Sequence, residues 1–136
     1  MRISLEDYFR AYADHPEITP EIEHAAARML DAVNALLTTA LAENVPLRVN
    51  PATGTLVSGQ DNGGWRPRAC PIGAARSNHK IGRAVDVYDP EGALDAWLDD
   101  ERLMAFGLAR EHPEATERWC HLQDVLPKSG KRTFWP

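Results

Sequence analysis

Ser77-Asn78-His79-Lys80-Ile81-Gly82-Arg83-Ala84-Val85-Asp86 decides how the chain is read. It sets a histidine and a carboxylate seven positions apart and runs into the apolar alternation Val85, Val87, Tyr88. An imidazole nitrogen and a carboxylate oxygen suit a borderline divalent ion such as Zn2+. Catalytic zinc sites use three protein ligands and keep one position open. The stretch offers two, His79 and Asp86, so a third is expected elsewhere. His121, in Glu117-Arg118-Trp119-Cys120-His121-Leu122-Gln123, is the best-placed candidate.

Around this stretch the patterning alternates between strand and helix. Residues 84–89 read as a strand, with Ala84, Asp86 and Tyr88 on one face and Val85 and Val87 on the other. A final strand is expected from about Arg118 to Gln123. Alternation there puts Glu117, Trp119, His121 and Gln123 on one face and turns Cys120 away, which makes Cys120 a poor ligand. Between the two, Pro90 stops the first strand. A helix is expected with Leu94, Trp97 and Leu98, then another from about Asp100 through Ala109, ended by His112-Pro113.

Upstream, Gln60 to Ser77 is long, rich in Gly and Pro, and carries Arg66, Arg68 and Arg76. A loop of that length in a compact domain is usually functional or disordered, and here it reads as a substrate-binding rim. Arg66 has the geometry to grip a carboxylate through two parallel hydrogen bonds. Before it, Pro46–Asn50 and Thr55–Gly59 read as two strands about the turn Pro51-Ala52-Thr53-Gly54. Ser4 caps a short helix with Leu5, Tyr8, Phe9 and Tyr12 on one face. Thr19-Pro20 opens a long one, with apolar residues at i, i+3 and i+4 from Ile22 to Leu41, ending near Asn44. His15 and His24 lie in this helical region and read as packing or surface histidines.

With 136 residues the chain is expected to form one domain, with helices over about 4–44, a core carrying the site over about 45–123 and a tail over about 124–136. The order of elements predicts an α+β fold: a small antiparallel sheet carrying the site, with helices packed on its other face. A net charge of −5 argues against a nucleic-acid partner. No apolar run approaches the roughly 20 residues that span a bilayer, so no membrane insertion is expected. The acidic start Met1-Arg2-Ile3-Ser4-Leu5-Glu6-Asp7 lacks the pattern of a signal peptide. A cytoplasmic product with Cys70 and Cys120 as free thiols is therefore expected.

Ser77, His79, Gly82, Ala84 and Asp86 together reproduce Ser-x-His-x-x-Gly-x-Ala-x-Asp, and a Trp-containing strand with a histidine follows downstream. This resembles the zinc D-Ala-D-Ala carboxypeptidase family, which includes phage peptidoglycan endopeptidases and is related to lysostaphin-type peptidases and the Hedgehog domain. Gly64-Trp65-Arg66 resembles the family's Ser-Gly-aromatic-Arg segment, with Gly63 where serine is usual. The resemblance runs from about residue 63 to about residue 123, and Trp-Cys-His-Leu-Gln is most similar to small phage-encoded members.

The resemblance implies Zn2+ held by His79, Asp86 and His121, and substrate contacts from Arg66, Ser77 and Trp119. It implies a peptidase acting on peptidoglycan stem peptides, as carboxypeptidase or endopeptidase. As a phage or prophage lysis enzyme it would stay in the cytoplasm until a separate membrane-permeabilising protein releases it to the periplasm and wall; association with the virion is the other location. The family's catalytic glutamate sits three residues before the last ligand, where this chain has Arg118. Glu117, four before His121, is the first candidate base, with Glu114 and His112 as alternatives. The displaced glutamate also motivates a second expectation, a non-catalytic metal-binding virion or assembly module on the same fold.

Overall fold

The computed structural model describes residues 1–136, an α+β fold of four helices and one four-stranded sheet. Helix α1 (Leu5–Phe9) opens on a reciprocal cap: Ser4 Oγ accepts from Asp7 N, and Asp7 Oδ2 accepts from Ser4 N. It is short, because Arg10 takes a positive φ of 37° and the chain continues as a single 3₁₀ turn, Arg10–Tyr12. Helix α2 (Pro20–Ala42) starts at the Thr19 cap and presents Ala26, Met29, Leu30, Val33, Leu36, Leu37 and Ala40 to the core. These belong to one cluster of 22 buried apolar residues. No helix is long and apolar enough to cross a membrane.

The sheet is ordered β1 (Ala84–Tyr88), β3 (Trp119–Gln123), β2 (Ala109–Glu111), β4 (Thr133–Phe134). β1 and β2 both pair antiparallel with β3, but β4 runs parallel to β2, so the sheet is mixed where an antiparallel one was expected. Val85 lies opposite Leu122 and Val87 opposite Cys120, and all four join the cluster that holds α2. The period of two then sends Asp86 and His121, which also lie opposite each other, to the far face. One side of the sheet is the core and the other is the site.

Two expectations about the chain's path are corrected. The helix expected to run through Ala109 stops as α4 (Asp100–Ala105) because Gly107, at φ 68°, closes it. Leu108 N donates to Leu103 O and Gly107 N to Met104 O, the paired bonds of a glycine-terminated helix. The chain leaves this turn as β2, held down where buried Arg110 meets Asp95 of α3 (Ala93–Trp97) at 3.2 Å. The hairpin expected over 46–59 contracts to one bridge, Asn50 to Thr55. The Asn50 side chain donates to the carbonyls of Val57 and Gly59, which takes those groups out of any ladder. Residues 56–63 instead cover the free edge of β1: Ser58 N donates to Asp86 O, Tyr88 N to Leu56 O and Asp86 N to Gly63 O.

Candidate metal centre

Three side chains converge on the polar face of the sheet. His79 comes from a 3₁₀ turn (Asn78–Ile81) capped by Ser77, whose Oγ accepts from His79 N, and closed by Gly82 at φ 79°. A Cβ at Gly82 would lie 2.8 Å from Ile22 O of α2, so close approach as well as backbone conformation reserves this place for glycine. Asp86 and His121 come from adjacent strands in direct register. All three are buried, and their ligand atoms lie within 4.8 Å of one another.

The spacing of the donor atoms fits an ion. His79 Nε2 is 3.3 Å from His121 Nδ1 and 3.3 Å from Asp86 Oδ1; His121 Nδ1 is 2.9 Å from the same oxygen. Tetrahedral bonds of about 2.0–2.2 Å separate their ligand atoms by roughly 3.3–3.5 Å. The triangle is therefore one face of such a tetrahedron to within about half an ångström. The group could hold a metal ion.

The back of each donor is also fixed. His79 Nδ1 lies 2.8 Å from Gly64 O, so this nitrogen carries a proton and Nε2 is the atom turned to the centre. Gln123 Nε2 donates to Val125 O at 2.7 Å, which turns Gln123 Oε1 toward His121 Nε2 at 2.8 Å. His121 Nε2 must therefore donate, and Nδ1 is the atom aimed at the centre. Arg66 Nη2 holds the other oxygen of Asp86, Oδ2, at 3.2 Å. Fixed tautomers and oriented carboxylates of this kind are how proteins prepare metal ligands.

Burial alone would raise the pKa of Asp86, but the charges and hydrogen bonds of His79 and His121 outweigh it and hold the carboxyl well below the usual range. Burial likewise disfavours a charged His121. The bond to Asp86 and the charges of Asp86 and Glu111 win, and its pKa is raised. In the metal-free protein a proton on His121 thus competes with the ion beyond pH 6.5. Metal affinity is expected to rise by about tenfold per pH unit for each proton displaced as pH increases through the neutral range. Titration in buffers of differing ionisation enthalpy measures that release, and a pH-independent affinity would contradict it.

Other expected site residues fall in different places. Trp119 and Ser77 line a cleft of about 520 Å³ over the three ligands. Arg66 lines it too, but its nitrogens are engaged: Nε donates to Asn62 O, Nη1 to Ile72 O and Nη2 to Asp86. In this structure Arg66 positions the ligand and the loop. Glu117 is exposed and lies in a separate hollow with Asn50, Ala52 and Tyr88. The alternation that was to bring it to the site breaks at Arg118, where φ is 78°. Glu114 is exposed, and His112 stacks on Trp135 with ring centroids 4.2 Å apart. Cys120 faces the core and, like Cys70, is a free thiol.

The carboxylate that does enter the cleft is Glu111, on a strand the sequence reading placed in a helix. The signal for it was Gly107, which ends α4 and leaves room for β2 before His112-Pro113. Gly63 also has a local reason: a Cβ there would lie 2.0 Å from Ser58 O, so serine does not fit. Comparison with models of protein families, with characterised proteins and with solved structures finds no match to this chain.

Proposed function

We propose that the chain is a zinc-dependent peptidase that hydrolyses peptidoglycan stem peptides, as carboxypeptidase or endopeptidase, and serves as a phage or prophage lysis enzyme. The observation that carries this reading is the convergence of His79 Nε2, Asp86 Oδ1 and His121 Nδ1, each with its opposite atom already bonded. Two imidazoles and a carboxylate suit zinc among the common divalent ions, and three protein ligands leave a position for substrate or water. When bound, zinc supplies a Lewis acid that polarises a carbonyl and makes water a nucleophile at neutral pH.

The protein's own part is orientation. Arg66 keeps Asp86 turned toward the centre, and Ser77 fixes the turn that carries His79. Trp119 forms a wall shared by the cleft and a neighbouring hollow of about 330 Å³, which gives an extended peptide room on both sides of Asp86. Wall access would follow release by a separate membrane-permeabilising protein.

Zinc-loaded protein incubated with purified Gram-negative sacculi is expected to shorten stem peptides or open cross-links, read by mass spectrometry of the muropeptides. Intact muropeptides with zinc still bound would overturn the reading. That result would favour the non-catalytic metal-binding module, which the exposed position of Glu117 supports.

A further inference from the structure

We propose that Glu111 is the carboxylate that accepts and returns the proton in the hydrolysis, a role that rests on the peptidase reading above. The sheet puts it there. Asp86 lies opposite His121, and Arg110 lies opposite Leu122. One step further along that register Glu111 stands beside His121, on the same face of the sheet. Asp86, His121 and Glu111 therefore form a row across three strands.

Glu111 Oε1 lies 3.7 Å from His121 Nδ1, and the side chain is 22 % exposed where it borders the cleft. Its only cationic or imidazole neighbour within 4 Å is His121. Its backbone is anchored on both sides, by Arg110 in its buried pair with Asp95 and by His112 N donating to Phe134 O. Only two carboxylate side chains line this cleft, and Asp86 is already engaged by both histidines and Arg66. A fourth tetrahedral ligand would sit roughly 3.3–3.5 Å from all three others. Glu111 approaches His121 and not His79 within 4 Å, and it falls outside the set of donor atoms that all lie within 4.8 Å of one another. Glu111 thus borders the triangle without completing it, the place from which a carboxylate can act on a water bound there.

In that place Glu111 takes one proton from the attacking water as the water oxygen bonds to the peptide carbonyl carbon. The carbon–nitrogen bond then breaks and the same proton passes to the leaving nitrogen, giving a carboxyl and an amine with Glu111 restored.

Glu111→Gln keeps the shape and removes the base. On the full zinc-loaded chain with the peptide the wild type cleaves, kcat is expected to fall by about 10²–10⁴-fold with KM little changed. Zinc per chain, and the visible spectrum after cobalt(II) substitution, stay as in wild type. Glu111→Asp restores part of the rate, and Glu117→Gln leaves it unchanged. A Glu111→Gln protein at wild-type rate, or one that loses its zinc and so makes Glu111 a ligand, would overturn the role. A wild-type protein that holds zinc and cleaves no peptide overturns the peptidase reading, and the role of Glu111 falls with it.

Discussion

Gly64→Ala is expected to weaken metal binding by about 10–100-fold, although residue 64 touches no ion. A Cβ at this position would lie 2.0 Å from Tyr8 O, a backbone atom of α1 that also accepts from Trp65 N. Backbone cannot swing aside as a long side chain does, so the loop must shift. The Gly64 carbonyl that holds His79 Nδ1 shifts with it. Trp65 is carried along: it is fully buried, packs near Phe9 and Tyr12, and donates from Nε1 to Lys80 O. Forcing extra volume into such packing costs about 1–3 kcal/mol or more. Thermal unfolding of the metal-free protein and chelator competition for zinc measure the two effects. Wild-type zinc affinity in the variant would separate the Gly64 carbonyl from the centre.

Asp86→Ala is expected to abolish metal binding and to destabilise the metal-free fold by about 3–5 kcal/mol, the range for removing one partner of a buried pair. It leaves the Arg66 guanidinium, itself buried, without its carboxylate, and it removes the acceptor of both histidines. The pH dependence identifies the cause. Asp86 has a depressed pKa, so in the metal-free wild type its contribution is present above about pH 3.9 and is lost as pH falls through the folded value. His121 has a raised pKa, so its contribution is complete below about pH 6.5 and is lost as pH rises through the folded value. Denaturant unfolding across pH 3–9 should show the onset of the acid flank below about pH 3.9 and the alkaline flank in wild type, and both should be smaller in the variant. Equal profiles would contradict the assignment.

What the sequence made legible was what short-range periodicity encodes. The i, i+3, i+4 pattern of α2 and the alternation Ala84, Asp86, Tyr88 each depend on neighbours along the chain, and both placed their residues on the expected faces, except Leu41 at the end of α2, which is exposed. The α+β class followed from the order of those elements. The pairing of β1 with β3 is long-range, but Trp119 to Gln123 carried enough alternation to put His121 on the face that Asp86 shares.

The failures have a common physical form. β2 and β4 are three and two residues long, too short for any period to show, and they exist because a neighbouring strand pairs with them. Glu111 was hidden for that reason. Glu117 was misplaced because alternation was carried through Arg118, whose left-handed backbone ends the strand pattern. Sequence alone casts Arg66 as a clamp for a substrate carboxylate; its partners, at Asn62, Ile72 and Asp86, are contacts that only the folded loop creates.

The proposed zinc ion rests on His79, Asp86 and His121 together. Elemental analysis of protein purified without chelator, as wild type and as His79→Ala, Asp86→Ala and His121→Ala, tests it most directly. About one zinc per wild-type chain is expected, and none in the three variants, each of which removes a corner of the triangle. Wild-type protein that takes up no zinc when it is supplied in excess, or a His121→Ala protein that keeps it, would remove the ion from this site.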